Sequence, residues 1–68
     1  MKLQINGEQR DFASSDPFTV AALLEAMGMK ADRVAVELNR DILPRERWTE
    51  TVLHEGDRLE VVHFVGGG

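Results

Sequence analysis

One stretch of this chain is patterned to wind an amphipathic helix, and it is short. In FTVAALLEAMG, residues 18–28, Val20, Leu23, Leu24 and Met27 fall at i, i+3, i+4 and i+7 and form a single apolar stripe. Thr19 is the expected N-cap, its hydroxyl placed to accept from a free backbone N–H of the first turn. Asp16-Pro17 is an alternative start, with proline at the first helical position. Gly28 suits the position just past the C-terminal end, where a left-handed residue closes a helix. A helix over about residues 20–27 is too short to stand alone in water. It has to dock, and its stripe is therefore expected to be core.

What surrounds it reads as strand and turn. Leu3 and Ile5 alternate with Lys2 and Gln4, the period of a half-buried strand. Asn6-Gly7 follows, the strongest short hairpin signal, because a type I′ turn needs positive φ at both central residues. A second strand is expected over Glu8 to Phe12, and ASSDP is a loop in which Pro17 bars a continuing strand. After the helix, Val34, Val36 and Leu38 share one side of RVAVEL, with Ala35 and Glu37 on the other. NRD is a turn, ILP a short strand stopped by Pro44, RERW a single helical turn that tucks Trp48 over the sheet, and TVL another short strand. Gly56-Asp57 marks a turn before the last strand, RLEVVHFV. There Leu59, Val61 and His63 share one face, and Arg58, Glu60, Val62 and Phe64 the other. A helix that follows a hairpin can cross over and lay a later strand parallel. One helix packed across one face of a mixed four- to five-stranded sheet is an α+β domain of β-grasp type, residues 1–64, with the last strand central beside the first.

Size and composition bound the function classes. With 68 residues there is room for one domain, whose core supplies only about 3–5 kcal/mol. There is no cysteine, which excludes disulfides, thiolate metal sites and sulfur chemistry on a side-chain thiol. No apolar run is long enough to span a membrane, and MKLQINGEQR lacks the apolar stretch of a signal peptide, so the cytoplasm is the expected location. Twelve acidic against eight basic residues, a net charge of -4, argue against nucleic acid as a partner. That charge speaks first to solubility.

The sharpest compositional break is the run Gly66, Gly67, Gly68 directly after the last strand. A frayed end is the ordinary fate of such a segment. Glycine, however, has no Cβ and passes through a narrow slot in conformations closed to other residues. Extended from Phe64 to Gly68, the segment spans roughly 17 Å. It is expected to be a flexible tail, residues 65–68, that carries the Gly68 carboxylate into another protein's active site. That group is an anion at neutral pH, able to attack a nucleotide α-phosphate and a poor electrophile until activated.

These elements in combination carry a resemblance. NG near the start, TVAALLEAMG, VAVELNRDILPRERW, EGDRLEVV and the ending HFVGGG together resemble the sulfur carriers of thiamine biosynthesis, the ThiS family, within the ubiquitin-like β-grasp group. The likeness covers essentially the whole chain. N-x-x-I-L-P-R-x-x-W followed by E-G-D is its most specific part, whereas a final Gly-Gly is shared with molybdopterin-synthase small subunits and ubiquitin-like modifiers. The extra glycine, Gly66, departs from the barest family pattern and loosens the tail. The resemblance implies that a ThiF-like adenylating enzyme uses Mg-ATP to convert the Gly68 carboxylate into an acyl adenylate. A persulfide sulfur drawn from a cysteine desulfurase then displaces AMP, and a ThiG-like thiazole synthase takes the sulfur from the Gly68 thiocarboxylate. On that reading the chain is a co-substrate and not an enzyme. It supplies no catalytic side chain and binds no cofactor or metal. The alternatives are a carrier for molybdopterin synthesis, a modifier joined to lysines of other proteins, and a binding module with an idle tail.

Other residues carry less. His54 and His63 have no third ligand in view and are expected at the surface or rim. Ser14 and Ser15 sit in a loop with no placed base. Trp48 is expected as a core lid, and Arg45 and Arg47 as solvated charges. Val62 and Phe64, with Val65 beside them, form an apolar group next to the tail and are the expected docking patch for a partner.

Overall fold

The computed structural model describes residues 1–13 and 17–64. Its strands are β1 (Lys2–Ile5), β2 (Glu8–Asp11), β3 (Val34–Leu38), β4 (Asp41–Leu43) and β5 (Arg58–His63), and its helix is α1 (Val20–Ala26). Single 3-10 turns occupy Ala31–Arg33 and Arg45–Arg47. The sheet order is β2-β1-β5-β3-β4. β5 runs parallel to β1 and antiparallel to β3, so the last strand is central and beside the first. This is the mixed five-stranded β-grasp arrangement that the element order implied.

Two turns set the outer pairs. Asn6 and Gly7 have φ of 52° and 83°, and Ile5 pairs with Glu8, a two-residue hairpin of the expected type. Asn39 and Arg40 repeat the geometry at 51° and 75° between paired Leu38 and Asp41. Arginine has no preference for that region, which disfavours L side chains by about 1–2 kcal/mol.

The helix shows why the TVL segment is not the short strand its composition suggested. Thr19 caps α1, its Oγ1 accepting from Ala22 N–H at 3.1 Å. The N–H groups of Val20 and Ala21 donate to the carbonyls of Thr51 and Trp48 at 3.0 and 3.1 Å. Leu53 N–H donates to Phe18 O at 2.8 Å. Residues 48–53 thus satisfy the free donors of the first turn, and Val52 forms a lone bridge with Thr19 instead of joining the sheet. The rival start at Asp16 lies outside the described residues. At the other end, Met29 N–H reaches Leu24 O and Gly28 N–H reaches Glu25 O, with Gly28 at φ +74°. That is a Schellman closure, and it stops the helix one residue before the expected Met27.

The core lies between α1 and one face of the sheet. Leu3 and Ile5 of β1, Val34 and Val36 of β3, and Leu59 and Val61 of β5 meet Val20, Leu23 and Leu24 of the helix. Met27 is only partly buried at the edge. Phe18, Trp48 and Leu53 close the side. Trp48 is the lid expected of it, buried, with Nε1 donating to Leu43 O at 3.0 Å. Arg47 pairs with Glu50 at 3.2 Å on the surface, where such a pair contributes little.

The motif residues of the sequence meet in space. Asn39 Nδ2 donates to Asp57 Oδ1 at 3.2 Å, and Asn39 Oδ1 accepts from Arg58 N–H at 3.0 Å. Asp57 Oδ2 accepts from His54 N–H at 2.8 Å. The E-G-D turn is thereby clamped to the β3–β4 hairpin on one side. On the other, Gly56 N–H donates to Lys2 O at 2.8 Å and holds the turn to β1. Gly56 itself sits at φ +87°.

Candidate functional site

β5 ends two residues short of the glycine run at 66–68, so its path fixes where the described chain stops. The alternation of its side chains sends Leu59 and Val61 into the core and leaves Arg58, Glu60 and Val62 on the open face. Parallel pairing with β1 covers only Gln4 with Arg58 and Ile5 with Leu59. Beyond it, Asn6 turns away at positive φ, yet its side chain continues the ladder. Oδ1 accepts from Val61 N–H at 2.7 Å and Nδ2 donates to Val61 O at 3.1 Å, while Asn6 N–H donates to Leu59 O at 2.9 Å. The carboxamide stands in for a peptide group of a strand that has ended. On the other flank β3 pairs with β5 as far as Val34 with His63, and Phe64 N–H donates to Arg33 O at 2.7 Å. Phe64 is the last described residue, held at this sheet end by its backbone.

The open face near that point carries the residues read from the sequence. Val62 and Phe64 are 55% and 53% exposed. Val62 lies opposite Ala35 on β3. Val65, Gly66, Gly67 and Gly68 lie outside the described residues, as do Ser14 and Ser15.

Two features of this face were not read from the sequence. Ile42 of β4 is 80% exposed, the largest exposure among the large apolar side chains of the described residues. Its signal was present, a three-residue strand whose middle side chain must point away from both neighbours. Glu37 and Glu60 are direct cross-strand partners, and Glu37 is also opposite Ile42. That requires the strand register, which single-strand patterns do not fix.

His54 and His63 are both exposed. Among the described residues no three His, Asp or Glu side chains gather as a metal site, and no buried side-chain polar atom lacks a partner. What the described residues present is a surface, apolar at the chain exit and charged further along. No helix of the described structure is long and apolar enough to cross a membrane.

Comparisons with known proteins follow this geometry. The family model for the ThiS family matches residues 3–68. A thiazole synthase of Paramagnetospirillum magneticum is 47% identical over 68 residues, 100% of this chain and 20% of that protein. The chain therefore spans about a fifth of the length of the thiazole synthases it matches. The sulfur carrier protein ThiS of Bacillus subtilis is 39% identical over 66 residues, 97% of this chain and 98% of that one. Among solved structures, the crystal structure of the thiamine biosynthesis protein ThiS from Geobacter metallireducens superimposes with a TM-score of 0.83 at 36% identity, covering 100% of both chains.

Proposed function

This chain belongs to the ThiS family, and from that premise we propose that it is a sulfur carrier for thiamine biosynthesis whose working group is the Gly68 carboxylate. The observation that carries the reading is the family match reaching residue 68, through the glycine run. A central strand delivering the chain to an open sheet end supports it.

The chemistry falls into balanced steps. A carboxylate oxygen attacks the α-phosphate of ATP in a ThiF-like enzyme, and pyrophosphate leaves. The terminal sulfur of a persulfide, supplied by a cysteine desulfurase, then attacks the acyl carbon and AMP leaves. The remaining sulfur–sulfur bond takes up two electrons from a thiol, which frees a thiocarboxylate at Gly68. In a ThiG-like thiazole synthase the thiocarboxylate sulfur adds to a carbonyl carbon of the thiazole precursor, the acyl group passes from sulfur to the oxygen of that carbonyl, and the Gly68 carboxylate leaves with that oxygen while the sulfur stays on the precursor. The carrier contributes a carbonyl carbon and a slim chain around it. Gly66 and Gly67 admit that chain to a narrow channel because no Cβ meets its walls. The chain acts as co-substrate and brings no catalytic side chain of its own. The exposed Val62 and Phe64, with Val65 next in sequence, serve as the docking residues for the partner.

Thiazole synthase as the sulfur acceptor has separate support. Chains named thiazole synthase contain a region 47% and 40% identical to this chain across its 68 residues, about a fifth of their length. Carrier-like and synthase functions carried on one polypeptide are functions that meet.

Intact-mass and C-terminal peptide analysis of the protein from cells expressing its adenylating enzyme tests the proposal. The expected product ends at Gly68 and is heavier by the difference between sulfur and oxygen. Deleting Gly67-Gly68, or adding a residue after Gly68, abolishes that product and leaves the fold unchanged. A folded variant thiolated normally after either change refutes the reading.

A further inference from the structure

The two edges of the sheet are unlike. β4 offers three residues between Arg40 and Pro44, and proline has no N–H with which to extend a ladder. β2 is longer and exposed at every residue. Its register is fixed by the hairpin. Ile5 and Glu8 flank the two-residue turn and exchange backbone bonds, so by alternation Leu3 and Arg10 do too, whereas Gln4 and Gln9 do not. The bond from Phe12 N–H to Met1 O at 2.8 Å fits that alternation. The N–H and C=O of Gln9 and Asp11 therefore point away from β1, along an open edge.

Glu8 and Arg10 flank Gln9 on one side of the strand, and neither belongs to an ion pair among the described residues. Arg10 lies over the Phe12 ring at 5.5 Å, and Asp11, on the other side, is engaged by the Met1 ammonium at 3.3 Å. We infer that β2 pairs antiparallel with β2 of a second copy, about a two-fold axis through Gln9, and joins the two sheets into one. In that register the two Gln9 residues exchange backbone hydrogen bonds, and Glu8 of each copy lies opposite Arg10 of the other. The four charges alternate in sign around the axis, which favours the pairing. Registers centred on Glu8, Arg10 or Asp11 set like charges face to face. Charged side chains on an edge bar most pairings, and these leave one open. Two-fold symmetry lets a single patch serve both copies. In the order β2-β1-β5-β3-β4 the two β5 strands stand five spacings apart, about 24 Å, and run in opposite directions. Pairing at this edge leaves Phe64 of each copy uncovered, so it does not depend on the sulfur-carrier reading and does not obstruct it.

Sedimentation equilibrium of the full chain, from micromolar to millimolar concentration, tests the pairing. Four-residue edges make a small contact, so Kd is expected at about 0.1–1 mM, and added salt raises it. The backbone amide of Gln9 exchanges with solvent more slowly as dimer forms. Glu8→Arg or Arg10→Glu alone places two like-charge contacts at the axis and raises Kd about tenfold or more. An equimolar mixture of the two variants restores association, since each supplies the charge the other lacks. A wild-type chain that stays monomeric at millimolar concentration overturns the inference. So does a dimer indifferent to both substitutions, or one that leaves exchange at Gln9 unchanged. None of these outcomes bears on the sulfur-carrier reading, for which thiocarboxylate formation is the separate measure.

Discussion

Replacing Asn6 with glycine isolates the work of one carboxamide. The turn survives, because glycine adopts a φ of 52° more readily than asparagine does. What is lost is the pair of bonds to Val61, at 2.7 and 3.1 Å. Each is worth about 0.5–1.5 kcal/mol net, and a backbone group left dry adds about 1–3. Asn6 is exposed and Val61 buried, so water replaces part of the loss. A destabilisation of about 2 kcal/mol is expected, the low end of those terms summed. For a domain of this size that lowers the melting temperature by roughly 8–16 °C. Trp48 is the single tryptophan and is buried, so its fluorescence during thermal or urea unfolding reports the transition. Asn6→Asp keeps the acceptor for Val61 N–H but sets a second oxygen against Val61 O, and is expected to be no more stable than Asn6→Gly at neutral pH. If Asn6→Gly unfolds within about 0.5 kcal/mol of wild type, smaller than the value of a single bond of this kind, the carboxamide does not hold β5 and the argument for a fixed tail origin fails at its first link.

Other substitutions test separate parts of the scaffold. Arg40→Gly relieves an L side chain at φ 75° and is expected to stabilise by about 0.5–1 kcal/mol, after the greater freedom of glycine in the unfolded chain is subtracted; a lower melting temperature counts against it. Thr19→Ala removes the cap on Ala22 and costs about 1 kcal/mol, read as a shift in urea midpoint with unchanged slope. Asp57→Ala strips acceptors from His54 N–H and Asn39 Nδ2 and is expected to cost about 1–2 kcal/mol, the low end for exposed groups, with faster amide exchange at His54 and Gly56 as the local signature.

Local pattern carried much of this fold, and the failures have physical causes. Asn6-Gly7, Thr19 and Gly28 act over a few residues, so each was readable where it stood. Residues 51–53 looked like strand because β-branched alternation does not say where backbone groups will bond. Theirs go to the N-terminus of α1. The turn at Ala31–Arg33 has no apolar period to announce it. The bond from Asn6 to Val61 spans 55 positions and that from Asn39 to Asp57 spans 18, beyond the reach of periodicity. On the candidate site, Val62 and Phe64 were legible from strand parity, whereas Ile42 and the Glu37–Glu60 pairing needed neighbours from other strands.

The central place of β5 has a mechanical consequence. Tension applied at residue 64 enters the sheet through its middle strand, which is bonded to β1 and Asn6 on one flank and to β3 on the other. Along the strand axis those bonds are loaded in shear and share the strain, instead of peeling one at a time as they would from an edge. A macromolecule pulling along that axis works against bonds on both flanks at once.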